Sequence, residues 1–264
     1  MTRQARPSLA SVRTAIVQCE RCPRLRSYCI DVGRTKKASY RDQTYWAKPV
    51  PGFGDPQAQL LILGLAPAAH GANRTGRVFT GDGVGGSGDF LMATLNRAGF
   101  ANIPTSHSPD DGLELSNAYI AAAVRCAPPS NKPSPEEIDT CLDHLATEVR
   151  ALPRLRAVVA LGQIAWDAWL KLLMREGVAL PRPRPAFAHG IVCTFGTPGT
   201  FGTFGTPGTP GTPGTLGTLG TLGALGALAL IGCYHPSRQN TNTGKVTPAM
   251  YDAIFGKLVR DAIG

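Results

Sequence analysis

The chain of 264 residues carries 27 Lys and Arg against 18 Asp and Glu, which gives a formal net charge of +9. This length suits one hydrophobic core, so we expect a single domain over residues 1–264, and the basic balance favours an anionic partner, most commonly nucleic acid. Residues 1–11 are too polar for a signal peptide, and no apolar run approaches the ~20 residues of a membrane span, so we expect a soluble, cytoplasmic protein without membrane partners.

Short apolar runs alternate with amphipathic segments along the chain. The runs predict four strands that are covered on both faces, because apolar and polar residues do not alternate within them. A helical pattern follows each run, and this repetition predicts an α/β fold with a parallel sheet between helical layers. The strands are predicted at residues 59–65, 118–124, 157–161 and 227–233, and the helices at 89–98, 135–152, 163–175 and 248–263.

The helix predicted at 135–152 has the clearest start signal. Ser134 precedes Pro135 at the first helical position, and Glu137 follows three residues after Ser134. This spacing predicts a capping box, in which the two side chains bind each other's backbone N–H groups. Cys141 falls on the apolar stripe of the same helix.

One segment departs from this alternation. From Thr194 to about Leu225 the chain repeats Gly-Thr-Phe, Gly-Thr-Pro and Gly-Thr-Leu triplets with almost no charge. Such a composition suits neither a packed core nor a collagen helix. We predict an expanded loop over about residues 194–226, and a small stack of structural repeats is the alternative.

Three polar loops follow predicted strands. GLAPAAHGANRTGRVFTGD (64–82) follows the first strand, RCAPPSNKP (125–133) the second, and YHPSRQNTNTGK (234–245) the last. Ligands of open parallel sheets bind beyond the carboxyl ends of the strands. The three loops are therefore predicted to meet at one edge of the sheet and to form an active site there.

These three motifs resemble those of the family 5 (type b) enzymes of the uracil-DNA glycosylase superfamily, and the similarity extends from Cys19 to the C-terminus except for the repeats. The resemblance implies a three-layer α/β/α sandwich with a central four-stranded parallel sheet and a [4Fe-4S] cluster. It also implies hydrolytic removal of uracil, and often of hypoxanthine or other deaminated bases, from DNA. We expect double-stranded DNA as the partner of a monomeric, nucleoid-associated enzyme of bacterial or archaeal type.

A glycosylase flips its base into a tight pocket, and the loops contain the side chains that this requires. Phe79 is the candidate stacking ring, Asn131 can pair with a uracil edge, and His235 can donate to a carbonyl oxygen that gains charge. Asp82 can position water or stabilise a cationic sugar. Ala66 is also predicted to contact the base. The resemblance aligns Ala66 with a residue that activates water in related families. Because alanine cannot do so, the resemblance assigns the catalytic role to Asp82.

Each assignment has a structural alternative. Phe79 and His235 are also compatible with core positions. Asp82 and Asn131 are compatible with turns, since Asp and Asn favour them. Asn240 either contacts the base or shapes its own loop.

Further loop residues are predicted to contact DNA, with solvated loop positions as the alternative. Phosphate contacts are predicted for His70, Asn73, Arg74 and Arg77. A wedge that enters the DNA stack is predicted from Arg238 and Gln239.

The seven cysteines separate into two groups. Four are assigned by the resemblance to one [4Fe-4S] cluster, whose N-terminal ligating segment covers about residues 15–50. Zinc accepts the same ligands and is the alternative. The cluster is expected to be structural, because hydrolysis needs no redox step. The predicted ligands are Cys19, Cys22, Cys126 and Cys141, and the predicted small buried residues are Cys29, Cys193 and Cys233.

The sequence therefore favours a monofunctional glycosylase that initiates base-excision repair. No Lys occupies a motif position suited to a Schiff base, so strand cleavage is not expected. The alternative is a non-catalytic iron-sulfur protein that binds DNA or senses redox state. The occurrence of Asp82, Asn131 and His235 together after strands favours the enzyme.

Overall fold

The computed structural model describes residues 7–195, 201–204 and 228–264, with the backbone alone for 201–204. Within these ranges the strands belong to one sheet. They are β1 (Phe53–Gly54), β2 (Leu60–Gly64), β3 (Ala118–Ala122), β4 (Ala157–Leu161), β5 (Val192–Phe195), β6 (Phe201–Phe204) and β7 (Leu228–Cys233). Their spatial order is β1-β3-β2-β4-β7-β5-β6.

The four predicted strands form the parallel centre of this sheet. Ile62 of β2 pairs with Ile120 of β3 on one side and with Val159 of β4 on the other, and β4 in turn pairs with β7. The α/β prediction is thereby confirmed. The antiparallel edges were not predicted: β1 pairs with β3, while β5 pairs with both β7 and β6.

The repeat tract begins inside the sheet. Residues Thr194 and Phe195 belong to β5, and the tract residues Phe201–Phe204 form β6 opposite them. The prediction of a loop from residue 194 onwards is therefore wrong at these positions, where β5 continues the ladder of β7. The remaining repeats, at 196–200 and 205–227, lie outside the described residues.

Helices flank the sheet and connect its strands, and no helix in the described ranges is long and apolar enough to cross a membrane. Short 3-10 helices cover Ala38–Tyr40 and Pro129–Asn131, and a π-helical turn, Ile254–Leu258, joins the last two α-helices. The α-helices are α1 (Leu9–Val17), α2 (Pro23–Thr35), α3 (Ala72–Thr75), α4 (Ser87–Arg97), α5 (Pro135–Arg150), α6 (Gln163–Arg175), α7 (Arg238–Asn242), α8 (Pro248–Ala253) and α9 (Val259–Ile263).

The capping box of α5 is confirmed. The Ser134 hydroxyl accepts from the Glu137 N–H at 3.2 Å, and the Glu137 carboxylate accepts from the Ser134 N–H at 2.7 Å. This pair satisfies two of the N–H groups that a helix start leaves free. Helices α1 and α2 were not predicted.

Successive residues of each strand pack into opposite layers, as a strand's period of two requires. Leu60 and Ile62 pack with α4 and the C-terminal helices in one apolar cluster. Leu61 and Leu63 pack with α5 and α6 in another. The three-layer α/β/α arrangement is therefore confirmed, and both faces of the parallel strands are buried from solvent.

Candidate active site

A cavity of about 360 Å³, here called the central cavity, lies beyond the carboxyl ends of the parallel strands. The loops after β2, β3 and β7 all contribute to its wall, as the motif positions predicted. The wall includes five of the six residues that the sequence placed at the base or the reaction centre, all but Asn240: Ala66, Phe79, Asp82, Asn131 and His235.

The ring of Phe79 forms one wall of the central cavity and lies beside His235, with 5.9 Å between ring centroids and 29° between planes. Phe79 has a left-handed backbone, with φ of 52°, which is strained for a bulky residue. Two glycines make room for it. A Cβ at Gly88 would lie 2.2 Å from the Phe79 carbonyl oxygen, and one at Gly64 would lie 2.9 Å from the ring.

The imidazole of His235 is neutral at pH 7, because burial lowers its pKa to about 4. Neither ring nitrogen has a hydrogen-bond partner among the described residues, so a ring N–H is free to donate into the central cavity. The backbone is held from the next helix: the Asn240 side chain donates to the His235 carbonyl at 2.8 Å. Asn240 thus shapes the loop, and its contact with a base stays a prediction.

The carboxyl of Asp82 is desolvated without a salt bridge in the described ranges. Burial raises its pKa to about 6, although Arg238 and Arg74 act in the opposite direction. The side chain lies against the backbone of Gly71, where a Cβ would overlap the carboxylate. Asp82 is therefore ionised at pH 7 at an energetic cost, which is typical of functional carboxylates.

Asn131 combines a turn backbone with an available amide. Its φ of 57° is left-handed, and its N–H donates to the Pro128 carbonyl at 3.1 Å. The side-chain amide has no protein partner within the described ranges. The turn interpretation thus holds for the backbone, while the amide remains free to meet a ligand in the cavity.

Two predicted phosphate contacts are wrong. Asn73 is fully buried, and its amide donates to the Cys29 and Ala69 carbonyls. Arg77 is 8% exposed and forms a bidentate pair with Asp111 at 2.8 and 2.9 Å. Both residues hold the first motif in place from within, because Cys29 and Asp111 come from distant parts of the chain.

The other predicted DNA contacts belong to the loop after β2 and to helix α7. The Arg74 guanidinium donates to the carbonyls of His70 and Gly81. Arg238 donates to the carbonyls of Asp82 and Val84, both at 3.2 Å, and thereby supports the glycine-rich loop. Gln239 is exposed. Contacts of these residues with DNA, and a wedge at 238–239, stay predictions.

Cysteines from both predicted groups lie together, because Cys29 packs in one buried cluster with Cys126 and Cys141. Cys29, Cys193 and Cys233 are buried, as expected. Among the described residues, no three His, Cys, Asp or Glu side chains are arranged to hold one metal ion. Three of the predicted ligands nonetheless share one neighbourhood: Cys141 and Cys19, after burial, raise the pKa of Cys22 to about 11.

Two further contacts describe the environment of these thiols. The fourth predicted ligand, Cys126, packs with Cys141 in one buried group. The Arg125 N–H donates to the Cys141 sulfur at 3.4 Å, an interaction that stabilises a thiolate. Four thiolates are the ligand set of a [4Fe-4S] cluster and also of a structural zinc ion.

Sequence reasoning missed further residues of the central cavity. Ser87 begins α4, and Ser237 caps α7 by accepting from the Asn240 N–H at 3.3 Å. Ser237 belongs to the quoted third motif, and its position before a short polar helix was the available signal. Ser87 had no signal, because the fold alone brings α4 to the cavity.

Comparison with known proteins gives consistent matches over most of the chain. A profile of the Uracil DNA glycosylase superfamily matches residues 51–259. Three relatives are each named type-5 uracil-DNA glycosylase. The Mycobacterium bovis protein is 43% identical over 249 residues, covering 94% of this chain and 80% of its own. The Thermus thermophilus protein is 42% identical (90% and 93% covered), and that of Pyrobaculum aerophilum is 39% identical (94% and 90% covered).

Proposed function

This chain belongs to the uracil-DNA glycosylase superfamily, and from that membership and the site we infer that it is a hydrolase that removes uracil from DNA. The observation that carries the inference is the pairing, in one cavity, of a desolvated carboxylate with a neutral imidazole. Asp82 and His235 both face the central cavity, and neither side chain is engaged in an ion pair among the described residues. A non-catalytic DNA-binding protein has no need for this arrangement.

The two groups match the charges that develop during glycosidic hydrolysis. As the bond from the sugar C1′ to the base nitrogen breaks, its electron pair leaves with the base and the sugar becomes cationic. The neutral His235 N–H can donate to the base oxygen that gains negative charge. Asp82 can stabilise the cation and orient the water whose hydroxyl joins C1′. The remaining proton of the water is transferred, directly or through solvent, to the departing base.

The same cavity supports a wider range of bases. Ala66 and the ring of Phe79 make two walls without hydrogen-bonding groups, so they discriminate by shape alone. The free amide of Asn131 has both a donor and an acceptor. We propose that hypoxanthine and other deaminated bases, which retain a carbonyl for His235, are substrates as well.

We propose that Cys19, Cys22, Cys126 and Cys141 hold a [4Fe-4S] cluster. The support is their shared neighbourhood and the backbone N–H aimed at Cys141. The cluster would supply structural cross-linking between the N-terminal segment, the loop after β3 and helix α5, and it would take no part in the chemical step.

We further propose that the enzyme acts as a monomer in the cytoplasm. Large apolar side chains that are exposed in the described ranges occur singly, at Ile30, Val84 and Ile164, and make no patch for self-association. The unpaired cysteines suit a reducing compartment.

Single-turnover excision from uracil and hypoxanthine duplexes tests the function, with DNA binding measured in parallel. Asp82→Ala and His235→Ala are each expected to slow excision about a hundredfold or more, since one preorganised group contributes roughly 2.7–4 kcal/mol. Binding should change far less, because both groups act mainly in the transition state. Asn131→Ala should alter the ratio of the two rates. No excision by the wild-type protein would leave a DNA-binding role.

The cluster has a separate test. Anaerobically purified protein should be brown and contain about four iron and four sulfide per chain. Cys141→Ser should lose this absorption, whereas Cys193→Ser, the matched control at another buried cysteine, should keep it. Stoichiometric zinc without sulfide would overturn the proposal.

A further inference from the structure

A second cavity, of about 350 Å³, adjoins the central cavity and shares Ala68, Asp82 and Asn131 with it. Helix α2 and the following 3-10 helix provide its outer wall through Tyr28 and Tyr40. These segments precede all three motifs in the chain, so no motif pointed to them. We call this space the outer cavity.

Several hydrogen-bond donors of the outer cavity lack protein partners. The Lys37 ammonium makes no ion pair within the described ranges, and the ring of Tyr40 lies 5.9 Å from it. The hydroxyls of Tyr28, Tyr40 and Ser130 likewise have no protein acceptor among the described residues. Side chains that converge on one space with unused donors are suited to a ligand rich in acceptors.

The charge around the outer cavity is mainly positive. Arg74 lies over the Tyr40 ring at 4.0 Å and is fixed there by its backbone contacts. Burial, followed by the neighbouring Lys37 and Arg74, lowers the pKa of His70, so this imidazole adds no charge at pH 7. The acidic side chain of the wall is Asp82, which already faces the central cavity. Among the described residues, neither Lys37 nor Arg74 forms an ion pair.

We propose that the outer cavity binds a backbone phosphate of the uracil-containing strand, beside the flipped nucleotide, with Lys37 and the hydroxyls of Tyr28, Tyr40 and Ser130 as ligands. This inference rests on the proposed function, because a shared wall requires the two occupants to belong to adjoining parts of one strand. A base is a poorer occupant, since Arg74 already covers one face of the Tyr40 ring.

The salt dependence of binding gives the first test. The ligand is a duplex with 2′-fluoro-2′-deoxyuridine, whose glycosidic bond resists hydrolysis, so that binding is measured without excision. Loss of one phosphate contact lowers the slope of log K against log salt by about 0.9. The ratio of the wild-type binding constant to that of Lys37→Ala should therefore fall about 3.5-fold between about 50 and 200 mM salt. Lys257→Ala, which removes an exposed lysine of the C-terminal helices, should match wild type.

A methylphosphonate scan of the same duplex identifies the phosphate. Neutralising one phosphate at a time should weaken wild-type binding at several positions, but one of them should have no further effect on Lys37→Ala or on Tyr40→Phe. Such coupling reports direct contact, which a folding defect cannot imitate. Equal sensitivity of wild type and Lys37→Ala at every position would overturn the proposal. Coupling without any excision would instead retain the phosphate site and refute the proposed function.

Discussion

Two carboxylates of this protein are desolvated, and their surroundings differ. Glu148 of α5 is 2% exposed and lies 2.5 Å from the Arg125 guanidinium. It also accepts from the Tyr119 hydroxyl and the Gly52 N–H at 3.0 and 2.9 Å. Asp82 has a backbone N–H from Gly88 and two cations that are directed mainly at carbonyls.

This difference separates a structural carboxylate from a reactive one. Glu148 is compensated by an ion pair and two further donors, so it joins β3 to α5 and its charge is not available to a substrate. Asp82 is left under-compensated, and its charge is available to a substrate that becomes cationic. Burial alone therefore does not identify a functional acid; burial without full compensation does.

The largest expected effect comes from breaking the compensated pair. Glu148→Ala leaves the Arg125 cation buried and should lower the free energy of unfolding by about 3–5 kcal/mol. Chemical denaturation measures this change. The double variant Arg125→Met/Glu148→Leu should recover most of the loss, and an equally unstable double variant would contradict the electrostatic explanation.

Removing the charge of Asp82 should raise the free energy of unfolding, whereas removing that of Glu148 lowers it. The pKa of Asp82 is raised above that of an unfolded Asp, so the folded protein loses stability as pH rises from about 4 to about 6. Asp82→Asn avoids this cost and should raise the free energy of unfolding at pH 8 by up to about 3 kcal/mol. The gain should vanish at pH 4. An unchanged midpoint at pH 8 would show that the carboxylate is already compensated.

The pH dependence of excision sharpens the same contrast. Asp82 must be ionised to stabilise a cation, so single-turnover rates should fall below about pH 6, approaching tenfold per pH unit. His235 stays neutral down to about pH 4 and should not add a second limb above that value. Asp82→Asn should be slow and nearly flat from pH 5 to 8. A wild-type profile that stays flat to pH 5 would remove Asp82 from the step.

The smallest effect is expected at an exposed ion pair. Arg97 and Asp252 lie 2.7 Å apart, with close to half of each side chain exposed. Solvent screens such pairs, and Arg97→Ala should change the free energy of unfolding by less than about 1 kcal/mol. A loss as large as that at Glu148 would show that distance, rather than burial, sets the contribution.

The sequence was sufficient where local signals act alone. The apolar runs predicted the four parallel strands, and Ser134 with Glu137 predicted the start of α5. The same approach failed for Asn73 and Arg77, whose polarity in a glycine-rich loop suggested solvent. Their partners Cys29 and Asp111 are far away in the chain, and only the folded structure shows that they meet.

The antiparallel edges could not be predicted for a related reason. Strand β1 has only two residues, and β5 leads into a tract whose composition indicates a loop. Both are strands because a neighbouring ladder supplies partners for their backbone groups.

The position of the Phe79 ring determines which substitutions can change the shape of the central cavity. Two positions without side chains, Gly64 and Gly88, define where the ring lies, although neither can touch a base through a side chain. A single added methyl group at Gly64 must displace the ring, whereas one at Gly88 meets rigid backbone. The width of the pocket beside Phe79 thus depends on two residues that have no side chain. A directed-evolution library confined to residues whose side chains line the pocket would never vary that width.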